Sequence, residues 1–246
     1  CLVDSEVLRN RHLRVAAKRW QQDFKKLNHE MEGKTYKDYL DKTFIEELNY
    51  KIWITKGSRF TASTRLTQTS RLSNLSINLL SVYLTIVGLL GVYNLHFNEI
   101  NENLIAYSIT SLSIMVLVFG QIESAKDYSM KSKEFHNCGL ELSKIYNDLR
   151  IYKTLTENQT ITDKEKFAKK ISDEYQRVLE RHENHLQIDN DLCRTKTAKY
   201  HLLSNWDVTK IRIEYYFRTK FLYHFLIIAP PIIIILLLVL FKKSSC

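Results

Sequence analysis

Proline is almost missing from this chain, and glycine is scarce. The 246 residues include 2 prolines and 6 glycines. Both prolines, Pro230 and Pro231, stand together inside an apolar run. The polar remainder therefore has no proline at all, which argues against strand-rich or turn-rich folds and for long helices. The four cysteines, Cys1, Cys138, Cys193 and Cys246, show no CxxC spacing. That argues against a disulfide framework or a zinc site and fits a reducing compartment. The start at Cys1 is read as a trimmed end rather than a lipidated one. Gly-rich phosphate loops and nucleophiles in recognisable turns are also lacking. His182 and His185 stand three apart on an expected helix, with Glu183 between them and Asp189 beyond. One such pair is weak ground for a metal, so a polar helix face or a hydrogen-bonded cluster is the expected role. His136 near Cys138 points to a metal still less. No catalytic residue, cofactor or metal is expected, and the chain is not read as an enzyme.

What the chain does have is three uncharged stretches, Leu75–Leu95, Leu104–Ile122 and Phe221–Phe241. About 20 helical residues, at roughly 1.5 Å each, cross the roughly 30 Å hydrocarbon core of a bilayer. The overall mean hydropathy of -0.25 hides them. The first two stretches are separated by a short loop and form a hairpin. The reading is an all-α membrane protein: a transmembrane hairpin, a cytoplasmic helical bundle, and a third, C-terminal transmembrane helix. Its expected parts are 1–71, N-terminal cytoplasmic helices; 72–122, the hairpin; 123–220, a cytoplasmic helical region; and 221–246, the third span and tail.

Charge sets the orientation. Lys51, Lys56, Arg59, Arg65 and Arg71 precede the first span, and no acid occurs from Leu48 to Asn98. The 94–103 loop has no Lys or Arg, whereas Lys126, Lys131 and Lys133 follow the second span. The positive-inside rule places the N-terminus and the region after Ile122 in the cytoplasm. Lys210, Arg212, Arg218 and Lys220 before the third span outweigh Lys242 and Lys243 after it, so the C-terminus is expected outside. The net charge of +9 is explained by this flanking, with no direct nucleic-acid binding expected.

The polar parts show helical periodicity. Leu13, Ala17, Trp20, Phe24, Leu27 and Met31 form one stripe, which Gly33 would stop. A second helix is expected to start at Thr35 as its cap, burying Tyr36, Leu40, Phe44, Leu48 and Ile52, with Trp53 at the membrane interface. One long helix should continue out of the second span to about Leu155. Another should open on a capping box at Thr162–Glu165 and bury Phe167, Ile171, Tyr175, Val178 and Leu179.

Inside the spans, Asn74, Asn78, Ser81, Thr85 and Gly88 share one helix face. Asn103, Ala106, Thr110, Ser113 and Gly120 share another, interrupted by Leu117. Small, weakly polar residues let helices pack closely in lipid. The same residues could line a water-filled path in an assembly. Both readings stand, and they overlap.

The string Lys51-Ile52-Trp53-Ile54-Thr55-Lys56-Gly57-Ser58-Arg59-Phe60, with Ala62, Arg65-Leu66 and Leu79-Leu80-Ser81-Val82-Tyr83, resembles the SLATT family. Phe135–Leu149 and Tyr175–Asp189 are similar as well, so the resemblance covers about residues 40–190. It implies a bacterial two-transmembrane effector of nucleotide-signalling and other anti-phage systems. Such a protein would be multi-pass in the inner membrane, homo-oligomeric and pore-forming, and would stop growth of an infected cell. Its partners would be the lipid bilayer and a nucleotide second messenger or a nucleotide-synthesising protein. A non-conducting adaptor that anchors a soluble defence protein is the alternative. Lys56, Gly57, Arg59, Arg65 and Arg71 then form a candidate collar: either positive anchors to anionic lipid, or a hinge coupling the body to the spans.

Overall fold

A computed structural model describes residues 35–39, 42–92, 102–156 and 160–244. The Leu13–Met31 stripe, Gly33, Leu40 and most of the 94–103 loop lie outside them. Among the described residues the structure is helical, without strands.

Its axis is α1, Phe44–Val92, an unbroken helix of 49 residues. With no proline to remove a hydrogen bond, the helix runs about 75 Å, more than twice the hydrocarbon thickness. One element therefore serves both the body and the first span, and the expected boundary at 71/72 falls inside it. Its start corrects the sequence reading. Thr35 opens only a single 3-10 turn, Tyr36–Tyr39, held by the Thr35 N–H donating to Asp38 Oδ2 at 2.7 Å. The main helix begins afterwards at Phe44.

The second apolar helix, α2 (Glu102–Ala125), does not run on uninterrupted. Asp127 adopts a left-handed conformation at φ 44°, and α3 (Tyr128–Leu155) starts afresh behind it. Asp tolerates this geometry, and its carboxylate accepts from the Met130 N–H, which caps the new helix. The end at Leu155 is as expected. Next comes α4 (Ile161–Arg181), capped by Thr160 rather than Thr162: Thr160 Oγ1 accepts from the Asp163 N–H at 3.2 Å. Both threonines have an acid three residues on, and the earlier one captures the start. A loop at 182–186 leads to α5 (Gln187–Thr195), then α6 (Asn205–Thr219) and α7 (Phe221–Ser244). Region 123–220 thus holds four helices where the sequence suggested two.

The body is built where α1 lies along α3. Leu48, Ile52 and Trp53 pack with Cys138, Leu142, Ile145, Tyr146 and Leu149, and α4 closes the cluster with Ile171 and Val178. Gly139 permits a close approach, since a Cβ there would lie 2.8 Å from Phe60 Cε1. Trp53, expected at the lipid interface, is 7% exposed inside this core. Burying a large aromatic side chain contributes about 2 kcal/mol or more, which outweighs an interfacial preference. By contrast, the apolar windows of the two long helices are only 11% and 6% buried. A soluble core helix would be mostly covered, whereas these two are long and apolar enough to cross a membrane and are largely uncovered. The described apolar part of α7, Phe221–Ile233, is shorter.

Trp53 also stacks on His201, with ring planes 15° apart, and Tyr200 meets the same imidazole edge-on at 5.1 Å between centroids. Tyr36 and Tyr50 complete an aromatic box. Among the described residues neither His201 nitrogen has a hydrogen-bond partner. Burial, followed by the nearby Arg194 cation, pushes the imidazole pKa from 6.5 down to about 4. The folded state thus favours neutral His201. Its stabilisation is complete above the unfolded pKa and is lost as pH falls from 6.5 through 4. The loss is about 3 kcal/mol in all. Melting of detergent-solubilised protein at pH 8 and pH 5 tests this. A His201→Phe variant should lose much less stability on acidification than wild type, and equal losses would refute the assignment.

Candidate functional site

The candidate collar comes first, because α1 places it. Arg59 is fully buried. Its guanidinium donates to the Glu183 carbonyl and, at 3.2 Å, to Asn184 Oδ1, and lies over the Phe135 ring. Burial pushes its pKa below the ordinary arginine value. Two helical turns on, Arg65 forks onto Asp189, with Nε to Oδ1 at 2.7 Å and Nη2 to Oδ2 at 3.0 Å. Asp189 is 0% exposed and also accepts from the Leu186 N–H. Lys56 sits over the Tyr146 ring at 4.2 Å. Gly57 is buried within the unbroken helix, its carbonyl accepting from Thr61 Oγ1. Arg71 is exposed. So Lys56, Arg59 and Arg65 turn toward the body, and two of them clamp the 182–189 segment to α1.

That clamp places the histidines. His182 and His185 are not on a helix: α4 ends at Arg181, His182 caps it, and His185 is in the loop. A helix cannot continue while the loop backbone is drawn onto Arg59. His182 faces Glu141 at 3.5 Å, and burial, then Arg59, lowers the His185 pKa. Among the described residues no three His, Cys, Asp or Glu side chains are grouped to hold a metal ion.

The polar faces of the spans point outward. Asn74, Asn78, Ser81, Thr85, Thr110 and Ser113 are all exposed in the single chain. The hydroxyls satisfy themselves on their own helices: Ser81 to the Ile77 carbonyl at 3.0 Å, Thr85 to Ser81 at 2.9 Å, Thr110 to Ala106 at 2.8 Å, Ser113 to Ile109 at 2.7 Å. A Cβ on Gly88 would meet nothing within 4 Å. This face is not the seam of one hairpin. The seam lies beside it, where a Cβ on Gly120 would sit 3.7 Å from Ile77 Cγ2 and Ser73 meets Glu123.

Glu123 is the residue that sequence reasoning missed. It follows the second apolar run directly and is 4% exposed. Its Oε2 accepts from Ser73 Oγ on α1 and from Tyr223 OH on α7, both at 2.8 Å. Its Oε1 pairs with Lys126. Tyr128 OH lies 3.1 Å from Tyr223 OH. Because Tyr223 spends its proton on the carboxylate, Tyr128 is the donor in that pair. Ser76 Oγ reaches the Tyr223 carbonyl at 3.3 Å, and higher up Tyr83 OH donates to Ile227 O at 3.1 Å. All three apolar helices and the first turn of α3 meet in this polar knot. The available signal was a lone acid ending one span, opposite Ser73 and Tyr223 at the matching ends of the others.

Comparison with known families adds one finding. Residues 41–237 match the family model described as SMODS and SLOG-associating 2TM effector domain, family 5, and the chain belongs to that family. The match extends past the 40–190 resemblance and takes in the described apolar part of α7. Searches of curated proteins and of solved structures gave no match.

The knot predicts unequal effects of two substitutions. Glu123→Gln keeps a carbonyl oxygen for Ser73 and Tyr223 and loses an ion pair whose lysine is 46% exposed, so it should cost under about 1 kcal/mol. Glu123→Leu strands two buried hydroxyls at about 1–3 kcal/mol each. Thermal unfolding in detergent should show the leucine variant clearly less stable than the glutamine one. Equal melting temperatures would mean the knot carries no stability.

Proposed function

We propose that this 2TM effector acts in bacterial anti-phage defence by assembling with copies of itself and permeabilising the inner membrane when a trigger reaches its cytoplasmic body. The outward polar face of the spans carries the reading. Among the described residues no path is enclosed, and Asn74, Asn78, Ser81, Thr85, Thr110 and Ser113 are all exposed. Several copies with this face turned inward would line a polar channel through the hydrocarbon.

Orientation follows from charge, with the body and N-terminus cytoplasmic and the 94–103 loop outside. α7 rises in step with α1: Tyr223 lies at the level of Ser73 and Ser76, and Ile227 at that of Tyr83. A third crossing therefore puts the C-terminus outside. The association in the family description supports a nucleotide second messenger, or a nucleotide-synthesising protein, as the trigger. The chain acts without a catalytic step of its own. A non-conducting adaptor is the second reading. It rests on a groove of about 630 Å³ between α3 and α4, where Glu141, Asp148 and Glu174 alternate with Lys144 and Arg177, a surface suited to a soluble partner.

Thr85→Leu separates these readings. Bulk on the lining face should narrow and dewet a path. The variant should insert and assemble as wild type does while ion flux from loaded liposomes falls at least tenfold. Unaltered flux in a correctly assembled variant would remove this face from the pore. No flux from assembled wild type would favour the adaptor.

A further inference from the structure

The helix α6 is hard to account for in a single chain. Tyr215 is its only buried residue. A helix of this length is marginal in water without a packed face, and the Ser204–Asp207 capping box offsets little of that. Yet among its exposed polar residues it carries three large apolar side chains one or two turns apart: Trp206 is 76% exposed, Ile213 53% and Phe217 57%. The ridge does not end with the helix. The hydrogen-bond ladder runs through Lys220, whose N–H donates to the Tyr216 carbonyl and whose own carbonyl accepts from His224. Phe221, Phe225 and Ile228 then continue the same line on α7. The Phe217 and Phe221 rings meet at 4.9 Å between centroids, tilted by 36°, and Phe221 and Phe225 stack at 6.3 Å.

Depth decides what can cover this ridge. Tyr223 sits in the knot at the base of the spans. Trp206 is about 25 Å of helix further into the body side, with Tyr215 beside the Arg65–Asp189 clamp. Each headgroup layer is only roughly 5–8 Å thick. Lipid therefore covers Phe225 and Ile228 and reaches Phe217 at most, while Ile213 and Trp206 lie beyond it. The partner must present an apolar surface across the same boundary at the same depth. A second copy, inserted in the same direction, does so by construction. Six large side chains, each half exposed or nearly so and of about 150–250 Å² when fully buried, supply an area approaching the roughly 800 Å² per partner of a stable interface.

We propose that the α6–α7 ridge is the surface through which copies of this chain assemble. This rests on the assembly step of the proposed function and assigns a face to it: the ridge joins neighbours, which leaves the Asn78–Thr85 face free to line the path.

The test uses the full chain in native membranes, with a photocrosslinking benzoylphenylalanine at Ile213 or Phe225 and a control at exposed Lys169. Crosslinked dimers should exceed the control at least fivefold. Trp206→Glu with Ile213→Glu should reduce the assembly to monomers while helicity and melting stay at wild-type values, as both side chains are exposed. Ile213→Ser should weaken assembly in the same direction. If wild type assembles and the double variant assembles equally, the proposal fails and the assembly reading survives. Crosslinks from Ile213 to residues 1–34 of its own chain would also overturn it, by showing the N-terminal stripe on the ridge. A wild type that stays monomeric would sink both.

Discussion

A single unbroken helix shared by body and bilayer constrains everything else here. From Phe44 to Val92 nothing in the sequence removes a backbone donor. The core residues Leu48, Ile52 and Trp53 and the span residues Ser81 and Thr85 therefore ride on one rod. A displacement of the body cannot be absorbed at a flexible linker before the membrane. It must tilt or rotate α1, and the spans with it.

Two polar clusters hold other elements to this rod, at different heights. In the body, Arg59 and Arg65 fix the 182–189 segment. Asp189 is fully buried, so losing either partner of its ion pair leaves an unpaired charge out of water, typically 3–5 kcal/mol. At the membrane base, Glu123 draws together Ser73, Tyr223 and Lys126. Between them runs α3, and the break at Asp127 just before it lets the chain leave the second apolar helix and turn onto α1. The clusters are strong enough to define one arrangement. Beyond the knot the apolar windows of the two long helices are only 11% and 6% buried, so little of the single chain covers them.

Much of this was legible in the sequence. The apolar runs, the absence of proline and the charge asymmetry point to a hairpin and a helical body, and the Trp-x-Thr-Lys-Gly-x-Arg-Phe stretch points to the family. What was not legible depended on tertiary competition. Trp53 suits an interface, but the larger gain lies in the core with Leu142 and Tyr146. Arg59 and Arg65 read as positive-inside anchors or a coupling hinge, and nothing local reveals that Glu183, Asn184 and Asp189, more than a hundred residues away, accept their hydrogen bonds. Thr160 and Thr162 offer the same cap, so the choice between them was ambiguous. Asp127 gave a faint signal, as one of the few residues besides glycine that enter the left-handed region. Glu123 looked like ordinary polar flanking because its partners come from three separate segments. The outward direction of the Asn78–Thr85 face needed the hairpin seam to be seen first.

If α1 transmits motion, it must be straight in the membrane-embedded protein. The direct measurement is a pulsed electron-spin distance between labels on exposed Lys51 and Thr85, with labelled chains diluted in unlabelled ones. An unbroken helix predicts one narrow distribution near about 51 Å. A broad distribution, or one centred well below that distance, would place a hinge between body and span and contradict the rigid coupling.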